Sequence, residues 1–387
     1  MRKPRIFNQK LFREFFESEK SGGIVLIFCT LFSLIITNSA LGNSYHHLWQ
    51  YNIFGLSIEQ WINDLLMAVF FFLIGLELER EVYIGELSNL KSAMLPVLAA
   101  CGGVIVPASI YTFFNFGTAT QSGAGIPMAT DIAFALGVLS LLGKRVPLSL
   151  KIFLTALAVI DDLMAILVIA FFYTETLSWV YLLLALAVYG ILLIFNRLKV
   201  QTFWIYLIGG IFMWFFMLRS GVHATIAGVL LAFALPFGDG GKKSISYKIQ
   251  HLLHKPVAFF ILPVFALANT AIDLKISIHE ALTQHYTLGI ALGLILGKPI
   301  GIFLFSYLSV KLKWCKLPDD LNWKTMISVG FLGGIGFTMS IFITLLAFDE
   351  ATIINNSKLM ILISSLIAGT IGYILLKINL KKSVKYL

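Results

Sequence analysis

Leu157-Ala158-Val159-Ile160-Asp161-Asp162-Leu163-Met164-Ala165-Ile166 places two adjacent acids midway along an otherwise apolar stretch. The residues around it decide its setting. Of 387 residues, 58% are hydrophobic and 13% charged, and the mean hydropathy is +0.89. These values lie far outside the soluble norm. Stretches between charges often reach the ~20 residues that cross ~30 Å of hydrocarbon as helix. Inside lipid every backbone group bonds within the chain, so the stretches are expected as helices. The short alternating segments of a β-barrel do not dominate. Cys29, Cys101 and Cys315 lie far apart and read as apolar filler, not as disulfides or a metal site.

Twelve apolar segments emerge: 22–40, 58–79, 93–114, 121–142, 150–173, 179–196, 203–218, 221–236, 248–270, 286–310, 324–348 and 357–377. No signal peptide precedes the first, which is expected to direct insertion itself. Residues 6–20 form an amphipathic stretch, with Leu11, Phe12, Phe15 and Phe16 on one helical face, suited to a membrane surface. All lysines and arginines fall in alternate loops except Arg219, Lys275 and Lys358 on the opposite side and Lys298 within a span. By the positive-inside rule both termini face the cytoplasm. The net charge of +9 is therefore topological, which removes a nucleic-acid partner. The outer break at 41–57 contains two strand-like pieces, Leu48–Tyr51 and Ile53–Leu56, readable as a small hairpin and dimer contact or as an ordinary turn.

Ionisable residues at membrane depth cost roughly 3 kcal/mol each on insertion scales and are presumed functional. Asp64, Asp131, Asp161, Asp162 and Lys298 meet that description. Neighbours on a helix differ by about 100° in direction, so Asp161 and Asp162 both avoid lipid only beside a shared cavity. Burial and an adjacent like charge both favour the protonated form of a carboxyl group, and two such groups titrate together. Carboxylate oxygens also suit a hard cation. Proton and cation competing for one site, opened alternately to each side, constitute an exchange mechanism. Two acids allow two protons against one sodium, an electrogenic cycle. Lys298, in Gly297-Lys298-Pro299, is the one basic residue at similar depth, and an Asp161–Lys298 pair is expected; it is readable as purely structural or as part of transport. Glycines 289, 293, 297 and 301 share one face for close helix packing, with Lys298 about a quarter-turn away.

Two spans carry helix breakers. Gly123-Ala124-Gly125-Ile126-Pro127-Met128-Ala129-Thr130-Asp131 interrupts the fourth and Gly333-Gly334-Ile335-Gly336-Phe337-Thr338 the eleventh. The two spans run in opposite directions, which points to an inverted-repeat transporter with spans 3–5 set against 10–12. Asp64 is a mouth residue or simply hydrated. Glu77, Arg80 and Glu81 read by default as a solvated salt-bridge set. His251 and His254 open the ninth span and admit pH sensing or a passive role. His223 reads as a packing residue.

These motifs together resemble the NhaA family of bacterial sodium–proton antiporters. The strongest are Ala129–Gly137, Ile160-Asp161-Asp162, Ser220–Thr225, Gly297-Lys298-Pro299 and Gly334–Ser340, and the likeness covers nearly the whole chain. The resemblance implies an all-α polytopic membrane protein of twelve transmembrane helices, with inverted-topology repeats and two antiparallel broken helices. It implies a panel part at 1–92 and 176–285 and a core at 93–175 and 286–387. It implies electrogenic exchange of cytoplasmic Na+ or Li+ for external H+ in a bacterial inner membrane, regulating internal pH and sodium, by a homodimer that needs no cofactor. By the same resemblance Asp162 is the main cation ligand and Asp161 pairs with Lys298. Thr130 and Asp131 line the crossing of the broken helices, and Asp64 lies toward the outer mouth. Glu77, Arg80, Glu81, His251 and His254 form the pH-response region, although Gln250 stands where the family often has glutamate. The competing expectations are a sodium-coupled symporter of an organic anion, a cation channel and, more remotely, a membrane enzyme. No phosphate loop or paired-histidine zinc motif supports an enzyme.

Overall fold

A computed structural model describes residues 9–173, 177–274, 281 and 283–383. Among these the chain is helical apart from one two-stranded hairpin. The helices are α1 Gln9–Thr37, α2 Gly42–Gln50, α3 Ile58–Tyr83, α4 Leu90–Asn115, α5 Ile132–Ser140, α6 Leu148–Phe172 and α7 Trp179–Arg197. They continue with α8 Phe203–Ser220, α9 Ile226–Ala234, α10 Ile245–Asn269, α11 His285–Lys311, α12 Trp323–Gly333, α13 Phe337–Ala347 and α14 Ala351–Ser383. Among the described residues nine helical stretches are long and apolar enough to cross a membrane, or up to eleven if two bent pairs count as spans.

The apolar segments map onto these elements with four differences. The segment 221–236 is helical only over Ile226–Ala234, about 14 Å at helical rise and short of the bilayer. Residues 9–20 run into the first span as part of one unbroken helix, α1. Leu48–Tyr51 is not a strand, because α2 extends to Gln50. The hairpin instead pairs Asn52 with Ser57 and Ile53 with Leu56, turning through Phe54 and Gly55, both at positive φ. Lys358, assigned above to an outer loop, is buried inside α14. Lys275 lies outside the described residues.

Burial separates a centre from a periphery. Of the apolar windows, 67% of α6 is buried against 11% of α7, whose face of Trp179, Val180, Leu183 and Ile191 suits lipid. The glycines of α11 are necessities of approach, as their spacing predicts. A Cβ on Gly297 would sit 2.8 Å from Pro107 Cα, one on Gly293 2.6 Å from Pro127 Cβ, and one on Gly301 inside the backbone of Gly102. This contact seats α11 on α4 and carries Lys298 into the interior, where it is 1% exposed.

Candidate functional site

Asp161 and Asp162 lie at mid-length of α6, both fully buried. Lys298 Nζ donates to Asp161 Oδ1 at 2.8 Å and Oδ2 at 2.7 Å, the expected pair. A π-helical turn at Gly293–Gly297 precedes Lys298, and Pro299 sits in the first turn of the helix that follows. Proline has no N–H, so one carbonyl of the preceding turn goes without its helical donor. The two carboxylates differ sharply in partners. Asp161 has both oxygens on an ammonium group, whereas neither oxygen of Asp162 has a hydrogen-bond partner.

The two breaks meet beside this pair. The fourth span is a 3-10 helix over Gln121–Met128, an extended stretch over 129–131 and then α5, with Asp131 as N-cap. Asp131 Oδ1 accepts from Phe134 N at 2.9 Å. Its Oδ2 accepts from Thr338 N at 3.1 Å and from the Thr338 hydroxyl. Asp131 N donates to Ile335 O at 2.7 Å, Thr130 Oγ1 to Gly333 O at 2.8 Å and Ser340 Oγ to Ile126 O at 2.7 Å. In the eleventh span α12 and α13 bend by 47° about residues 334–336. Phe337 N, the first amide of α13, donates to Ser365 Oγ of α14 at 3.1 Å. The chain groups named here meet partners, all but Phe134 N from another element, as buried backbone requires. Thr130 also borders Asp161.

A cavity of about 40 Å³ opens on Asp162, Asp131 and Thr338, space for two or three waters. Glu77 and His254 line it as well. Glu77 therefore stands beside the acids of the cavity. Arg80 turns elsewhere: its Nη1 donates to Gln250 Oε1 at 3.4 Å and its guanidinium lies 4.9 Å from the Tyr247 ring centre. Tyr247 stacks on His251 with centroids 6.2 Å apart. Glu81 packs where a Cβ on Gly85 would fall. Asp64 stands apart from the cavity, in a π-helical turn at Ile62–Leu66, where its carbonyl accepts from Trp214 Nε1 at 3.1 Å. The next-door Asn63 pairs with Asn269 at 2.8 Å.

Two residues of this region are absent from the candidate set above. Thr338 closes onto Asp131, and its signal was available as the first hydroxyl after the glycine break. Glu79 is 5% exposed with Oε2 unpartnered, and nothing in its charged surroundings on α3 distinguishes it in sequence.

Residues 13–376 match the family model described as Na+/H+ antiporter 1. The chain belongs to that family. A relative from Flavobacterium psychrophilum, named Na(+)/H(+) antiporter NhaA, is 70% identical over 374 residues, 97% of each chain. One of the same name from Dechloromonas aromatica is 60% identical over 94% of this chain and 95% of its own. A third, from Vibrio cholerae, is 48% identical over 96% and 98%. Membership in an antiporter family makes the chain a transporter and not an enzyme, and it gives no support to the organic-anion symporter.

Proposed function

We propose that this protein exchanges cytoplasmic Na+ or Li+ for external H+ across a bacterial inner membrane, by alternating access and without a cofactor. The observation that carries this is the asymmetry of the acids: Asp161 is neutralised by Lys298, while Asp162 is buried with both oxygens unpartnered. A buried carboxylate without a counter-charge is costly, so it holds either a proton or a cation. Asp131 and Glu77 add negative charge around Asp162, which favours a cation once the proton leaves. Asp162 is accordingly assigned as the cation ligand, with Thr130 and Asp131 shaping the crossing beside it. Asp161 and Lys298 take part on the proton side. Exchange of two protons for one sodium makes the cycle electrogenic.

The remaining assignments follow the same reading. The crossed breaks and the small α9 favour twelve membrane segments in inverted repeats, the short helix completing a span with the turn before it. Residues 93–175 and 286–387 then form the core, and 1–92 and 176–285 the panel. The distribution of basic residues favours cytoplasmic termini, and the exposed hairpin at Asn52–Ser57 suits a homodimer contact. Glu77, Arg80, Glu81, His251 and His254 are assigned to pH response and Asp64 to the outer mouth. The neutral Gln250 gives Arg80 a partner whose charge does not change with pH.

The test is transport by the purified protein in vesicles carrying an internal pH dye. Added sodium is expected to drive proton movement, and Asp162→Asn to abolish it. Normal exchange by that variant would sink the assignment, and sodium uptake indifferent to the pH gradient would sink antiport.

A further inference from the structure

Tyr173, the C-cap of α6, makes an unusual set of bonds. Its hydroxyl donates to Ser122 O at 2.6 Å and accepts from Gly125 N at 3.1 Å. Its carbonyl accepts from His223 Nε2 at 2.7 Å, in the turn between α8 and α9. One side chain therefore occupies two backbone groups of the 3-10 segment Gln121–Met128. Tyr111, wholly buried on α4, adds a third contact by donating to Thr120 O at 2.7 Å. The glycines give these hydroxyls room. A Cβ on Gly125 would lie 2.5 Å from the Tyr173 hydroxyl, and one on Gly123 would fall on that of Tyr111.

Helical geometry links this clamp to the acids. Tyr173 follows Asp162 by eleven residues on one helix, about three turns and ~16 Å, so the two share a face to within about 20°. Asp131 follows Gly125 by six residues on the clamped strand. A rigid rod thus fixes one acid directly and the other through the segment it grips. The conformation of that segment matters in ångströms: 3-10 helix rises about 2.0 Å per residue against 1.5 Å for α-helix, so rewinding eight residues moves their end by about 4 Å.

We infer that Tyr173 is a positioning residue for the cation site, holding 121–128 in its extended 3-10 form so that Thr130 and Asp131 reach the second break beside Asp162. This rests on the antiport reading above. It predicts that loss of the hydroxyl weakens cation binding while leaving the exchange chemistry in place, because no group that meets the ion is removed.

The experiment is sodium-dependent proton movement in vesicles by the full-length protein, read as half-saturating sodium and maximal rate, with lithium in parallel. In Tyr173→Phe the half-saturating sodium is expected to rise about tenfold, the equivalent of one buried hydrogen bond, at an unchanged maximal rate. The lithium-to-sodium ratio shifts too, because the smaller ion feels a displaced acid differently. Gly125→Ala drives the hydroxyl off with the tyrosine in place and gives the same rise. It adds less in the Tyr173→Phe background, where the contact with the hydroxyl is gone and only those with Ile343 Cγ2 at 3.2 Å and the ring Cε2 at 3.3 Å remain. If Tyr173→Phe does not fold, Gly125→Ala decides. A fall in melting temperature and maximal rate without a move in half-saturation is the signature of a merely structural tyrosine and overturns the inference. Unchanged half-saturation in both variants, beside an inactive Asp162→Asn, sinks this inference alone. Full exchange by Asp162→Asn sinks the antiport site and the inference with it.

Discussion

The break at 129–131 and the break at 334–336 meet at one crossing, yet they replace their lost helical hydrogen bonds from opposite sources. The first offers mostly side chains, with the Asp131 amide donating to Ile335 O besides. Asp131 accepts from Phe134 and twice from Thr338, and Thr130 donates to Gly333 O. The second offers mostly backbone: the carbonyls of Gly333 and Ile335 and the amides of Phe337 and Thr338 all point outward to partners. Glycine suits the second break because a Cβ at Gly333, Gly334 or Gly336 would run into Ile302 Cδ1, the Leu294 carbonyl oxygen or Ser340 Oγ. Non-glycine residues suit the first because the side chain is the partner. Sensitivity to mutation should divide along the same line.

The largest effect is expected at the first break. Asp131→Ala leaves two amides and a hydroxyl without an acceptor in a buried site, at a cost of about 3–5 kcal/mol. Unfolding in detergent should show it as a lowered midpoint, with Asp131→Asn intermediate because one acceptor oxygen survives. An unchanged midpoint in Asp131→Ala would remove the distinction between the breaks. A smaller loss is expected from a Cβ at the second break. Gly334→Ala places the new atom against the Leu294 carbonyl oxygen, which is backbone and cannot swing aside, at about 1–3 kcal/mol. The first break already carries Cβ atoms at Ala129 and Thr130, so Ala129→Gly should lack a comparable gain. The smallest is Thr338→Val, which keeps the shape and removes one bond of about 1 kcal/mol. Its cost should largely vanish in an Asp131→Ala background, since both changes break the same contact. Full additivity in that double-mutant cycle would show that the two breaks are not joined through Thr338.

Much of this was legible in sequence wherever the signal is local or is a forbidden placement. Two acids in an apolar span, one lysine at matching depth and glycines every fourth residue are each visible in a single segment. The Asp161–Lys298 pair followed because only one partner was available. Pairings that depend on distant chain were not legible. Asp131 and Thr338 stand 207 positions apart, and neither hydropathy nor propensity records which oxygen a hydroxyl will find. The same limit hid Glu77, whose place in the cavity is set by α10 and the breaks and not by its charged neighbours on α3. Length misled at 221–236, where apolar composition continues past the point at which Gly221 takes a left-handed conformation and ends α8. Leu48–Tyr51 reads as strand by its residues, but the helix that starts at Gly42 overrides that short preference.

The π-helical turn at Gly293–Gly297 also acts as a phase correction. Residues four apart on an α-helix advance by about 40° per step, so a row of glycines every fourth position would drift about 120° from first to last. A wider turn takes fewer degrees per residue and winds part of that drift back. Gly289, Gly293, Gly297 and Gly301 can therefore all meet the same partner surface on one continuous rod. The setting of Lys298 is tied to the same correction, since it leaves the wide turn as the next residue. Deleting one residue between Gly293 and Gly297 would turn the wide turn into an ordinary α-turn, which is one residue shorter. Gly297, Gly301 and Lys298 lie together beyond that point and would stay in step with one another, so what the change tests is their phase against Gly289 and Gly293.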